Sequence, residues 1–376
     1  MITPRSNRPE AGFTLVELMI AMAISLIVLS SVFSLFMFQQ RVYVQQSDMA
    51  RNQAQLRGAL QAMSRDIRMA GYSGIPLGFD RSLDSSQQPN LYPIVPWPMT
   101  GGAFPTAFPT GPQPRVDSQY GQSEAIEVWG NFTRQTAQLA ADYSPGANVI
   151  TIHNSRLLID HYVKRILIGN ANMVSYHEIT AVVDGGTDTG TFTINPALGN
   201  PMSTGDLVAP IIRRIFFVAD ATQISGALTE QVGTLYQRTY MVDPYIANPA
   251  NRYTSGTCFQ DEPLADHMDY LNVRYYLSVL DLATNKPTTE IDNSPDASGT
   301  PTNGPSNPCR INSIDLRLVS KTFPPLTAQG QRGNTPLILD NTQSVKIRNV
   351  GLARWVCATT PDPALTPWSE TTRCGI

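Results

Sequence analysis

The chain has 376 residues, enough for one large domain or two ordinary ones, with a formal charge of −3. This near balance of charge argues against a surface built for nucleic acid, so we expect no nucleic-acid partner. Hydrophobic residues make up 42% of the chain, which predicts a sizeable core and excludes global disorder. A multi-span membrane protein is excluded as well, because long apolar sequence is concentrated in one run.

That apolar run covers residues 13–38 and contains a single charge, Glu17. As a helix it is long enough to span a hydrocarbon core of about 30 Å. A removable signal peptide would have a shorter apolar region of about 7–15 residues. A simple membrane anchor would not explain Glu17, because a carboxylate in lipid costs on the order of 2.5–3.5 kcal/mol and usually has a partner or a role.

The border between polar residues 1–12 and the apolar run is abrupt and reads GFTLVE at residues 12–17. This border resembles the processing motif of type IV prepilins and pseudopilins. The resemblance implies that residues 1–12 are a leader and that a prepilin peptidase cuts between Gly12 and Phe13. The same enzyme would methylate the freed amine of Phe13, and the anchor would stay attached in the inner membrane.

Glu17 is the fifth residue of the chain that this processing would create. The new cationic amine of Phe13 can neutralise the Glu17 carboxylate, either on its own chain or on a neighbouring subunit. A pair between subunits would set their axial register, because a mismatch strands both charges in lipid. We therefore expect Glu17 to act in assembly.

The helix is predicted to continue beyond the membrane through residues 39–70 and to stop at Gly71. An apolar stripe with spacings of three and four supports this continuation. Its members are Met49, Gln53, Leu56, Leu60, Met63 and Ile67. The stripe fits packing on the protein's own globular part, or a coiled coil with a partner. Arg51, Arg57, Arg65 and Asp66 fall off it.

Residues 71–376 predict a globular domain of short antiparallel strands. A proline-rich loop is expected at 76–114 and a polar, mobile loop at 283–308. Strands are expected at 124–129, 148–153, 174–183, 191–194, 207–217, 235–241, 271–280, 314–320 and 345–355. Asp184-Gly185-Gly186 predicts a hairpin turn.

The four cysteines all lie outside the anchor, where an oxidising compartment would favour disulfides. Proximity in sequence suggests the pairs Cys258–Cys309 and Cys357–Cys374, with free buried thiols as the alternative. No Cys-x-x-Cys element, histidine pair with metal-ligand spacing, nucleophile elbow or phosphate loop is present. We therefore expect no catalytic residue, no metal site and no cofactor.

The fold class expected is α+β and pilin-like, a long helix followed by an antiparallel sheet. Residues 68–74 also resemble the segment after the helix in PilW-type minor pilins, although Ile75 stands where those proteins often have cysteine soon after the glycine. The resemblance implies a minor pilin with its domain in the periplasm, which joins other minor and major pilins and enters the pilus. A type II secretion pseudopilin and a tethered adhesin are the alternatives.

Overall fold

The computed structural model describes twelve segments of the chain. They are residues 14–75, 94–97, 116–117, 121–170, 173–186, 188–220, 233–246, 252–253, 257–281, 286–292, 311–322 and 337–347. The chain divides into two compact units. One contains Met1–Arg51 with Thr322–Leu337, and the other contains Asn52–Lys321 with Ile338–Ile376.

The described elements are two helices and sixteen strands. The helices are α1 (Leu15–Met69) and α2 (Arg156–Asp160). The first eight strands are β1 (Ile94–Trp97), β2 (Val116–Asp117), β3 (Gly121–Gln122), β4 (Ala125–Gly130), β5 (Ala137–Leu139), β6 (Val149–His153), β7 (Arg165–Gly169) and β8 (Val174–Asp184). The others are β9 (Thr189–Asn195), β10 (Leu207–Asp220), β11 (Gly233–Val242), β12 (Thr257–Asp266), β13 (Met268–Asp281), β14 (Lys286–Asp292), β15 (Ile311–Thr322) and β16 (Leu337–Lys346).

The α+β, pilin-like class is confirmed by a long apolar helix followed by antiparallel strands. In the first unit, every residue of segment 14–36 is exposed, although most of these side chains are apolar. The apolar window of α1 is long enough to cross a membrane and has no buried residue. An apolar segment exposed in this way is stable only when lipid or another apolar surface covers it.

The part of α1 in the second unit packs on the protein's own strands. Leu56, Leu60, Met63 and Ile67 are buried in one core with residues of β4, β10, β13, β15 and β16. Packing on the own domain is therefore confirmed for these four stripe residues, whereas Gln53 is exposed. The spacing from Leu56 to Ile67 keeps one helix face apolar, so this core accounts for these four residues of the stripe.

The helix ends where the sequence predicted it. Gly71 adopts a φ of 74°, a left-handed conformation that glycine accepts without strain. Its amide donates to the carbonyl of Trp129 at 2.8 Å, so the end of the helix is tied to β4. At neighbouring Gly130, a Cβ atom would lie 2.6 Å from the carbonyl oxygen of Met69. The close approach of helix and strand therefore requires glycine at that position.

Six strands form a closed barrel in the second unit. The residues Leu207 and Val208 of β10 pair with β5 on one side and with β7 on the other, and β5-β6-β9-β8-β7 complete the ring. The predicted turn at Asp184-Gly185-Gly186 is confirmed, because β8 and β9 pair antiparallel across it. A separate hydrophobic core fills the ring, including Ile152, Ile168 and Phe192.

Beyond the barrel, the second half of β10 pairs with β4 and β11 and presents two different faces. Ile212, Phe216 and Val218 belong to the core that contains α1. Ile215 and Phe217 belong to another cluster with aromatic residues of β11 and β12. The alternation follows the two-residue period of a strand and lets one strand separate two cores. A four-stranded sheet, β14-β13-β15-β16, completes the helix-side core.

Three sequence predictions in the domain need correction. Strand β14 occupies 286–292 inside the expected mobile loop 283–308, so the loop prediction is wrong there. Strand β1 lies inside the expected proline-rich loop 76–114. The last described strand runs from Leu337 to Lys346 and so begins before the expected strand 345–355, of which residues 348–355 lie outside the described segments. The remaining residues of these three ranges lie mostly outside the described segments.

Two of the strands that the sequence did not predict share a physical cause. Strands β12 and β14 each pair with one neighbour and contain Pro263 and Pro287, which edge strands tolerate. Their polar residues break the alternation by which a strand is recognised in sequence. Strand β12 was not predicted at all.

Two glycines in this unit give a matched test of packing. We expect Gly130→Ala to lower the free energy of unfolding by about 1–3 kcal/mol, because the new methyl group would meet the Met69 carbonyl. Gly58→Ala has no atom within 4 Å of its Cβ and should raise stability by about 0.5–1 kcal/mol. Urea unfolding of the detergent-solubilised protein measures both, and equal midpoints for the two variants would contradict this packing.

Candidate functional site

The first turn of α1 is organised by Thr14 and Glu17. The Glu17 Oε2 atom accepts hydrogen bonds from the Thr14 amide at 3.0 Å and the Thr14 hydroxyl at 2.9 Å. The Glu17 amide donates to Thr14 Oγ1 at 3.3 Å. The first backbone bond of the helix runs from the Leu18 amide to the Thr14 carbonyl at 3.2 Å.

These contacts form a capping box, in which a threonine before the helix and a glutamate three residues later satisfy each other's amides. A capped amide is especially valuable at a helix start that lies in or near lipid, because water is not there to replace the hydrogen bond. This capping role was not predicted from the sequence. The signal was present as Thr14-x-x-Glu17 at the start of the apolar run.

The other predicted site residues are only partly within the described segments. Gly12, Phe13, Cys309, Cys357 and Cys374 lie outside them. Cys258, on β12, is 3% exposed and is bonded in a disulfide. Its partner lies outside the described residues, so the pairing with Cys309 stays a prediction, and so does Cys357–Cys374.

A buried ion pair crosses from β4 to β10 in the domain. Arg213 Nη2 lies 2.9 Å from Glu127 Oε2, and both side chains are fully buried. The Trp129 indole donates to the same carboxylate, and the Arg213 guanidinium lies 4.0 Å from the centroid of the Tyr240 ring. The charges are thus neutralised and enclosed, which is the arrangement of a structural pair.

A second buried pair joins β11 to β12. Arg238 and Asp261 are opposite each other in the strand register, with Nε–Oδ1 and Nη2–Oδ2 distances of 2.7 Å and 3.0 Å. The guanidinium stacks 3.9 Å from the Phe259 ring centroid. This two-point bond fixes the register of an edge strand whose sequence is otherwise a weak strand former.

The third pair attaches α1 to the sheet. Asp66 is 4% exposed, and its Oδ2 atom lies 2.6 Å from Arg214 Nη1 on β10. The sequence placed Asp66 off the apolar stripe, whereas the structure buries it beside that stripe. Arg214 stacks 4.6 Å from the Phe132 ring centroid, so its stem and head are both held. In each of the three pairs the arginine and the carboxylate neutralise each other, which is the arrangement of a structural ion pair.

A titratable carboxyl group lies at the junction of β13 with the segment before β4. The Glu124 carboxylate accepts a hydrogen bond from the Val273 amide at 2.5 Å, and the Glu124 amide donates to the Leu271 carbonyl at 2.8 Å. Burial raises the pKa of Glu124 to about 7, and the Val273 amide opposes that rise. The group therefore links two sheets and changes charge near neutral pH.

The pKa of His177, on β8 in the barrel wall, shifts in the opposite direction. Burial lowers its pKa to about 4. Its Nδ1 donates to the Pro196 carbonyl at 2.7 Å, while Nε2 accepts from the Ser175 hydroxyl at 2.6 Å. A neutral imidazole satisfied at both nitrogens is a structural histidine. Among the described residues, no group of three or more His, Cys, Asp or Glu side chains is arranged to hold a metal ion.

With this geometry in view, comparison with known proteins gives one informative match. Residues 7–33 match the model of the prokaryotic N-terminal methylation motif. The protein is type IV pilin-like at its N-terminus. The motif implies processing by a prepilin peptidase and association with other pilins, and together with α1 it fits a membrane-anchored pilin or pseudopilin.

The remaining comparisons add no functional argument. No curated protein matches the chain. Among solved structures, the endosialidase of phage phi92 is similar at 9% identity and a TM-score of 0.16. The alignment covers 59% of this chain and 41% of that one. A likeness at this level supports no conclusion about fold or activity.

The Glu124 position predicts a defined pH dependence of stability. A glutamate side chain ordinarily has a pKa of 4.5, whereas burial raises the pKa of Glu124 to about 7 in the folded protein. The folded state therefore binds this proton more tightly than the unfolded state. The free energy of unfolding should therefore fall as pH rises from about 4.5 to about 7 and then level off. Glu124→Gln should remove this decrease, because glutamine still accepts from the Val273 amide but does not ionise.

Urea midpoints of wild type and Glu124→Gln at several pH values between 4.5 and 8 measure this effect. His177 acts in the opposite direction, because its depressed pKa makes the unfolding free energy fall as pH drops from about 6.5 to about 4. Because His177 is present in both proteins, the difference between their pH profiles of stability is due to Glu124. Parallel pH profiles would contradict the prediction.

Proposed function

We propose that the protein is a PilW-type minor pilin of a type IV pilus system. It would span the inner membrane once, with the β-rich domain in the periplasm, and would join other minor and major pilins to prime pilus assembly. The observation that carries this proposal is the exposed apolar segment 14–36, which begins inside the methylation motif and continues into a helix packed on a β domain. We assign it no enzymatic activity.

In this proposal, prepilin peptidase cleaves between Gly12 and Phe13 and methylates the Phe13 amine. The cleavage creates a cation next to Thr14, whose amide and hydroxyl already hold Glu17 Oε2. Glu17 would then serve twice, as the cap of its own helix and as the anion that meets a Phe13 amine. A pair formed with the amine of a neighbouring subunit would set the axial register between helices.

The same N-terminal motif also suits a type II secretion minor pseudopilin, which is the alternative within the pilin-like class. Deletion of the gene separates the two, since loss of pili with normal protein secretion favours a pilin. The tethered-adhesin alternative depends on loops 76–114 and 283–308. It predicts loss of adhesion with normal piliation.

Processing gives the most direct test. We expect the mature protein to begin at Phe13 with a methylated amine, which mass analysis of the N-terminal peptide will detect. Gly12→Trp should leave the precursor uncut but still in the membrane, because the bulky side chain obstructs the scissile bond and the anchor is unchanged. An intact leader in cells with active prepilin peptidase would overturn the assignment.

Substitutions at the helix start separate the two roles of Glu17. Glu17→Leu should be inserted and processed normally but should crosslink poorly through α1 to co-expressed pilins. Glu17→Gln removes the charge while keeping an oxygen that can accept from the Thr14 amide. If charge sets the register, Glu17→Gln and Glu17→Leu should be equally defective.

Thr14→Ala is the matched control, since it removes the hydroxyl bond of the cap and leaves the charge of Glu17 in place. It should crosslink and support piliation close to wild type. If instead Thr14→Ala fails like Glu17→Leu while Glu17→Gln assembles normally, the cap and not the charge is what assembly requires. Glu17→Asp should be intermediate, because its carboxylate reaches one methylene less far.

A further inference from the structure

A cleft with an arginine-lined wall lies between the second half of α1 and strand β16. Its volume is about 740 Å³. Among the described residues that line it, Arg57, Arg65 and Arg68 are the only charged ones, and the amide side chains of Asn341 and Gln343 face them from β16. All of these residues belong to the same compact unit.

The arginines form one stripe along the helix. With Gln61 they follow the spacing i, i+4, i+8 and i+11, which keeps side chains on one helix face. All three are exposed, and none has a carboxylate within salt-bridge distance among the described residues. The neighbouring acidic groups are engaged elsewhere, Asp66 with Arg214 at 2.6 Å and Asp340 with Arg317 at 2.6 Å.

Two further residues of the cleft are unexplained by the protein's own packing. Gly58 is exposed in the interior of α1, where glycine is among the least favourable residues, and a Cβ there would meet no atom within 4 Å. Ser64 is 2% exposed, and its hydroxyl has no hydrogen-bond partner within the described part of the chain. Within the described segments, the cleft thus combines a glycine, a hydroxyl without a hydrogen-bond partner and three arginines without a carboxylate partner.

We propose that this cleft binds an acidic segment of a second pilin-like subunit. Guanidinium groups match carboxylates through two parallel hydrogen bonds, and the amides of Gln61, Asn341 and Gln343 match the peptide groups of a protein segment. Gly58 allows the backbone of that segment to approach the helix closely. The identification of the partner as a pilin rests on the proposed function, whereas the acidic chemistry rests on the cleft alone.

The helix geometry also predicts the spacing of the partner's charges. Along α1, Arg65 and Arg68 are about 4.5 Å apart and Arg57 and Arg65 about 12 Å apart. A matching segment would thus present two neighbouring carboxylates and a third one farther along. A phosphate backbone would also meet three arginines, but it would leave the facing amides without peptide groups, so we favour a protein partner and test nucleic acid directly.

Binding is measured with the full-length, detergent-solubilised protein and a fluorescent decapeptide of glutamate as the probe. Arg65→Gln/Arg68→Gln should weaken peptide binding roughly tenfold. Arg41→Gln/Arg51→Gln is the matched control, since it removes two charges from the same helix outside the cleft, and it should bind like wild type. Gly58→Leu should also weaken binding, and because leucine favours the helix, this loss is not a loss of folding.

Equal binding by wild type and the Arg65/Arg68 variant would overturn the proposal, and so would equal losses in the two arginine variants. Tighter binding of a ten-nucleotide single-stranded DNA than of the glutamate peptide would overturn it in favour of a nucleic-acid groove.

A photocrosslinker at Gln61 in cells that express the other pilins tests the partner. Crosslinks to a processed pilin that disappear in the Arg65/Arg68 variant, with cleavage at Gly12–Phe13 unchanged, support the proposal. Crosslinks that persist in that variant contradict it. Failure of cleavage in the wild type contradicts the proposed function instead, and the peptide assay still decides the acidic specificity of the cleft.

Discussion

The seating of α1 on strand β10 is the interaction on which the rest of the domain depends. The inner face of the helix contributes Leu60, Met63 and Ile67 to a core shared with the helix-side residues of β10 and β4. Within that apolar contact, the Asp66–Arg214 pair at 2.6 Å fixes the position of the helix along the strand. Removing one member of such a buried pair typically costs about 3–5 kcal/mol, because the other charge is left without a partner.

Strand β10 can play this part because its 14 residues belong to two sheets. Its first residues close the barrel between β5 and β7, and its later residues pair with β4 and β11. Its two consecutive arginines point to opposite faces of the strand. Arg214 pairs with Asp66 of the helix, and Arg213 pairs with Glu127 while its guanidinium lies over the Tyr240 ring. Each charge is neutralised in its own core, which is the condition for burying two adjacent cations in one strand.

The two halves of α1 obey opposite rules for apolar residues. Residues 14–36 are exposed in the protein alone and need lipid or a partner helix to cover them, whereas Leu56 to Ile67 are covered by the protein's own sheets. Polar residues follow the same division. Glu17 is held by the helix cap at the start of the apolar run, and Arg57, Arg65 and Arg68 line an exposed cleft of the helix with no carboxylate partner in the described part of the chain. A subunit with these surfaces is suited to assembly.

The sequence by itself determined the features that depend on local pattern. The helix was predicted over residues 14–70 and observed from Leu15 to Met69, because an unbroken apolar period and the stop at Gly71 are local signals. The strands with clean alternation, such as β8 and β13, were predicted for the same reason. The capping box of Thr14 and Glu17 is an equally local pattern, although only an assembly role was predicted for Glu17.

Only the tertiary structure decided what depends on residues distant in the chain. Edge strands β12 and β14 form because neighbours align them, with the Arg238–Asp261 pair in register, despite sequences that contain proline and charge. The burial of Asp66 follows from Arg214, which lies far from it in sequence and could not be paired with it by pattern alone. The barrel closes because one strand has two partners at its start, and the arginine cleft exists because β16 runs beside α1. Local periodicity fixes which face of an element is apolar, but register and pairing are set by contacts that form only in the folded chain.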